Sequence, residues 1–184
     1  MVPVVSLWLP ILIAAVIVFV VSSIVHTVLA YHQNDFGPVP DEASVRAGLR
    51  GVPAGDYVVP HPSSKEERRS EAFQEKMKEG PVAFMTVFPA GKISMGTSLV
   101  QWFVYCVLVG LFAAYVAGVA LPPGAEYLSV FQIAGTVAFA GYGLALAQNS
   151  IWFRRKWSST LKSMFDALVY GLLTAGTLGW LWPG

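Results

Sequence analysis

Charge is what this chain has least of. Asp, Glu, Lys and Arg make up 12% of its 184 residues, about half the share of an ordinary soluble domain. With 55% hydrophobic residues and long uncharged apolar runs, that deficit excludes a typical soluble fold and indicates an integral membrane protein. The net charge of +1 gives no electrostatic footprint for nucleic acid, and none is expected as a partner. The single cysteine, Cys106, excludes an intrachain disulfide and any multi-cysteine zinc or iron–sulfur site. It lies in an apolar run and reads as a small packing residue. No Lys or Arg precedes the first apolar run, which argues against a cleaved signal peptide. A glycine-rich nucleotide fingerprint and low-complexity segments are absent too.

What is present is a set of apolar segments, each long enough to cross a hydrocarbon core of about 30 Å at 1.5 Å per residue. They run from Leu7 to Leu29, Ser98 to Leu121, Tyr127 to Phe153 and Ser159 to Trp182. The expected fold is an all-α integral membrane protein: a four-helix transmembrane bundle with a small α/β-like cytoplasmic insert between helices 1 and 2. Residues 1–30 form transmembrane helix 1, 31–97 a cytoplasmic cap, and 98–184 transmembrane helices 2–4.

The cap has its own local signals. Pro40-Asp41-Glu42 opens a short helix that Gly51 stops, because acidic residues favour a helix N-terminus. A turn at 53–56 precedes a β-favouring run, Tyr57 to Val59. Ser64 and Glu67 form a capping box for a helix through Lys78. Residues 82–88 read either as a second strand, paired with the first, or as a segment lying flat at the lipid interface.

Positive charge sets the orientation. Of the 12 Lys and Arg residues, eight lie in 31–97 and the other four are Arg154, Arg155, Lys156 and Lys162. The positive-inside rule then places residues 31–97 and 154–162 in the cytoplasm and both termini outside, in a bacterial inner membrane. Tyr31, Trp102, Trp152 and Trp157 fall at the inner ends of the spans, and Trp8, Tyr127, Trp180 and Trp182 at the outer ends, as two aromatic belts. Small residues at four-residue spacing, Gly110-Ala114-Gly118 and Gly171-Ala175-Gly179, are helix-packing seams. The third span is small nearly all round and is expected to be the most buried.

Asp166 is the one acidic residue inside an apolar span, at a cost of roughly 2.5–3.5 kcal/mol if it sat at a helix centre. Depth brings it into an inner polar layer with His26, Gln101, Gln148 and Asn149. His26 is the pairing that would support a proton relay, while Arg154, Arg155 and Lys162 are candidate ion pairs. His26 and His32 are six positions apart, about 240° round a continuous helix, so no metal site is expected, and no cofactor.

No nucleophile–base pair stands out. The expected function is that of a multi-pass inner-membrane protein without assigned activity: an accessory or structural subunit, or a small homo-oligomer, whose cap binds a protein partner. Two alternatives use the polar layer: a small proton-linked transporter, and an enzyme acting on a lipid or quinone at the cytoplasmic interface. Few polar groups line the outer half, and Pro10 is the one proline within a span. Both facts argue against a transport path built on broken helices.

Overall fold

A computed structural model describes residues 1–91 and 94–184. The protein is mostly helical, with one two-stranded sheet. Three helical segments are long and apolar enough to cross a membrane: Val4–Thr27, Met95–Ala120 and Tyr127–Phe153. The described chain divides into two compact units.

The first unit comprises Met1–Gly37 and Ser94–Gly184. Helix α1 (Trp8–Thr27) follows a short 3₁₀ turn. Pro10 falls in its first turn, where a missing N–H costs no helical hydrogen bond. Helix α5 (Met95–Ala120) packs against α1. The stripe anticipated on α5 is the reason: Gly110 lies under Ile11, and a Cβ there would sit 3.4 Å from the Ile11 methyl. One turn from the end of α5, the backbone N–H of Val2 donates to the Gly118 carbonyl at 2.7 Å. Helix α8 (Trp157–Trp180) packs on α1 and, most extensively, on α6 (Tyr127–Tyr142). Gly171 there meets the Phe139 backbone, and Gly179 meets the Tyr127 ring. Ala113, Ala114 and Ala117 of α5, Ala134 and Ala138 of α6, and Ala175 and Leu178 of α8 are fully buried. Small side chains let the backbones approach closely where hydrophobic burial drives nothing.

Two expectations for the third span fail. It is not continuous: α6 stops at Tyr142, a 3₁₀ turn covers Leu144–Leu146, and α7 (Ala147–Phe153) resumes the helix. The break falls at Gly143, where a Cβ would lie 2.7 Å from the Ala167 Cβ of α8. Nor is it the most buried. Of its apolar window 28% is buried, against 33% for the first span and 39% for the second. Its small residues form contact faces toward α5 and α8, and the rest of its circumference is left uncovered.

Both ends of the chain lie at one end of this unit. Val2 bonds to Gly118, the Gly124 N–H donates to the Pro183 carbonyl at 2.8 Å, and the Trp182 indole donates to the Pro122 carbonyl at 3.0 Å. The opposite end gathers His26, Tyr31, His32, Asp35 and Lys162.

The second unit begins at Pro38 and ends before Ser94. Helix α2 (Glu42–Gly48) is capped by Asp41, whose carboxylate accepts from the Ser44 N–H. Strands β1 (Gly55–Val59) and β2 (Ala83–Val87) pair antiparallel, with Tyr57 opposite Met85. Residues 82–88 therefore hold a strand, not an interfacial segment. The helix foreseen from Ser64 to Lys78 is two: α3 (Lys65–Arg69) and α4 (Glu71–Glu79). Ser70 leaves the helical conformation and accepts from the Phe73 N–H at 3.2 Å, capping α4 anew. Ser64 caps α3 as expected, but Glu67 reaches back to the Ser63 N–H instead of closing the box on Ser64.

Candidate functional site

The site is built where α1 stops. After Thr27 the backbone leaves the helix, and a 3₁₀ turn at Ala30–His32 folds the chain over α8. This turn defeats the expectation that His26 and His32 lie about 240° apart round one helix. Their rings are stacked, with centroids 5.0 Å apart and planes 8° from parallel. It also replaces the anticipated His26–Asp166 pairing. The partners of the buried Asp166 carboxylate are the Tyr31 hydroxyl, which donates to Oδ1, and His32, whose Nε2 lies 2.7 Å from Oδ2. His26 donates from Nδ1 to the Ser22 carbonyl at 3.0 Å.

A second carboxylate completes the cluster. Asp35 accepts from His32 Nδ1 at 2.7 Å, and Lys162 Nζ donates to Asp35 at 3.0 Å and to the Tyr31 carbonyl at 2.5 Å. Lys162, one turn from Asp166 along α8, therefore serves the residue 31–35 turn and not its helical neighbour. Burial lowers the basicity of His32, but its hydrogen bonds to Asp35 and Asp166 outweigh this and raise its pKa above 6.5. The same bond from His32, opposed by burial and helped by Lys162, brings Asp35 down to about 2. Burial, then the bond to Asp166, raises Tyr31 well above an ordinary phenol. The imidazole bridges two carboxylates, and the buried Asp166 is not left unpaired.

Beside this cluster lies a cleft of about 660 Å³. Ser22, Ser23 and His26 of α1, Leu99, Trp102 and Tyr105 of α5, Tyr142 and Leu146 at the break, and Asp166 and Tyr170 of α8 line it. Its aromatic walls hold one another. Trp102 donates to Ser22 Oγ at 2.8 Å, Tyr105 donates to the Gly141 carbonyl at 2.6 Å, and the Tyr142 and Tyr170 rings meet edge to face at 5.7 Å. The Gly141 carbonyl sits in the last turn before the break, where helix carbonyls lose their partners. The Tyr170 hydroxyl is buried without a hydrogen-bond partner, on a residue only 4% exposed.

The remaining candidates lie outside the cluster. Gln101 and Gln148 are exposed. Asn149 acts through its backbone carbonyl, which accepts from the N–H of Arg155 at 3.2 Å. Arg154 takes a left-handed conformation, φ 58°, to end α7, and Arg155 lies 5.9 Å from the centroid of the Phe36 ring. Neither arginine pairs with Asp166. Ser150 of α7 donates to Thr160 of α8 at 2.8 Å and pins the two helices. Sequence reasoning missed Asp35 and the aromatic cleft. The available signal was Tyr31-His32-x-x-Asp35 directly after a span, with the His and Asp at the i, i+3 spacing of one turn. Compared with known protein families, with curated proteins and with solved structures, the chain gives no match.

Proposed function

We propose that this chain is a multi-pass inner-membrane protein that binds an uncharged, quinone-type amphiphile in the cleft beside Asp166. The single observation carrying the reading is the buried, unpartnered Tyr170 hydroxyl in an aromatic-walled cleft. A buried hydroxyl without a partner costs free energy until an acceptor arrives. Apolar walls with a few convergent polar groups are what a small-molecule site requires. The head group follows from charge: among the described residues no Lys or Arg lines the cleft, and Asp166 does. An anionic phosphate would be repelled there, whereas a carbonyl or hydroxyl on a flat ring stacks on the aromatics and accepts from Tyr170.

The four-helix transmembrane bundle belongs to the same proposal. Helix α8 is about 36 Å long at 1.5 Å per residue and is less apolar than its neighbours because it carries Lys162 and Asp166. Both termini meet the α5–α6 turn at one end, and chain ends on the same side require an even number of crossings. Arg154, Arg155, Lys156 and Lys162 then put the site end in the cytoplasm and the termini outside. A second reading, a cap that recruits a protein partner or a second copy, is favoured by the folding of Pro38–Ile93 as a compact unit of its own around the β1–β2 pair.

The test is purification of the full chain in mild detergent, with native mass spectrometry and organic extraction. A bound isoprenoid quinone, lost from a Ser163→Phe variant that fills the cleft, is the expected result. Recovery of the chain with bound phospholipid only, or with nothing, contradicts the reading.

A further inference from the structure

We infer that His26, His32 and Asp166 form a binding site for one divalent transition-metal ion of the zinc or ferrous type at the polar end of the cleft. One donor atom from each of the three lies within 4.8 Å of the others. The chemistry of both imidazoles points the same way. His26 Nδ1 is held by the Ser22 carbonyl and His32 Nδ1 by the Asp35 carboxylate, so each ring aims Nε2 at the site, where an ion would replace the proton that His32 Nε2 shares with Asp166. Metal-binding histidines are oriented in this manner, through a carbonyl or carboxylate on the distal nitrogen. His32 Nε2 faces Asp166 Oδ2 at 2.7 Å, and two donors sharing a tetrahedral ion at about 2.0–2.2 Å lie about 3.3–3.6 Å apart, so an ion would widen this pair by less than about 1 Å. Two imidazoles that meet one ion at a near-tetrahedral angle have centroids about 5 Å apart, and these are 5.0 Å apart. His26 is exposed, so its ring is free to tilt from the parallel stack onto the ion.

The surroundings suit a cation. Asp166 and Asp35 bring two negative charges, against the one positive charge of Lys162, which is bonded to Asp35. Tyr31 holds the second oxygen of Asp166, which fixes the first for coordination. Two histidines and one carboxylate leave positions open on the ion, a ligand set that suits zinc or ferrous iron. His26 and Asp166 also line the cleft. The site therefore deepens the amphiphile reading, but it is measurable without any amphiphile.

The experiment is a titration of the full-length, metal-stripped protein in detergent with Zn²⁺ by calorimetry and with Co²⁺ by visible absorption. One equivalent is expected to bind, with cobalt bands in the visible. His26→Ala, at an exposed position where folding is unaffected, is expected to weaken binding at least tenfold. Asp35→Asn, which touches His32 and not the ion, is expected to lose about 10–100-fold. His61→Ala in the second unit serves as the control and changes nothing. Absence of saturable binding, or equal affinity in wild type and a His26→Ala/His32→Ala variant of unchanged circular dichroism, overturns the site. Neither result bears on quinone retention, which is measured in metal-free protein.

Discussion

His32 bridges two carboxylates that are distant in sequence from one another, with Nδ1 2.7 Å from Asp35 and Nε2 2.7 Å from Asp166. Both acid side chains are nearly buried, at 6% and 5% exposed. The bridge ties the turn after α1 to the middle of α8. Removing the imidazole leaves Asp166 with Tyr31 and Asp35 with Lys162 and Ser159. His32→Ala is expected to destabilise the protein by about 3 kcal/mol, the scale for breaking a buried pair by deleting one partner. Thermal unfolding in detergent measures it. A loss below about 0.5 kcal/mol would mean that the bridge holds nothing.

Gly143 of the broken third span packs against Ala167 of α8, where an added Cβ would lie 2.7 Å from the Ala167 Cβ. Gly143→Ala is expected to cost about 1–3 kcal/mol, as overpacking does. Ala167→Gly in the same chain should restore most of it. The double-mutant cycle is the readout, and additive losses would show that the two positions do not touch.

Tyr170→Phe separates binding from stability. The hydroxyl has no hydrogen-bond partner within the protein, so its removal is expected to be neutral or to stabilise by up to about 1 kcal/mol. Amphiphile affinity should fall by roughly 3–10-fold, the worth of one neutral hydrogen bond of about 1 kcal/mol. A variant destabilised by more than about 1 kcal/mol, with unchanged affinity, would show that the hydroxyl has a structural partner instead.

Sidedness is open to cysteine labelling in a Cys106→Ala background. Ser6→Cys and Gly184→Cys should react with an impermeant maleimide from the same side of the membrane, and Ser44→Cys only from the opposite side. Labelling of Ser6→Cys and Gly184→Cys from opposite sides would remove the four-crossing topology.

The apolar segments were legible in the sequence because length and lack of charge are sufficient to mark them. Asp41, Ser64 and the strand at 83–87 were legible because capping and alternation are local rules. The break at Gly143 was not. No proline marks it, and the packing of Gly143 on Ala167 is a contact made across helices. The His26–His32 stack was hidden for a related reason. An angular separation counted along a helix holds only while the helix continues, and α1 ends at Thr27. Asp35 was not singled out, and Lys162 was expected to pair with Asp166, because nothing in their neighbourhood says that the chain folds back onto α8. Asp166 was recognised as needing a partner, but which partner depended on that turn.

The most direct test of the central claim is photolabelling of the full chain in nanodiscs with a short-chain azido-quinone, followed by mapping of the modified residues. The account predicts saturable labelling of Met95, Trp102 and Tyr105 in the cleft wall, competed by unlabelled quinone and lost in Ser163→Phe. Labelling spread along the exposed faces of α1 and α5, with no saturation and no competition, would contradict it.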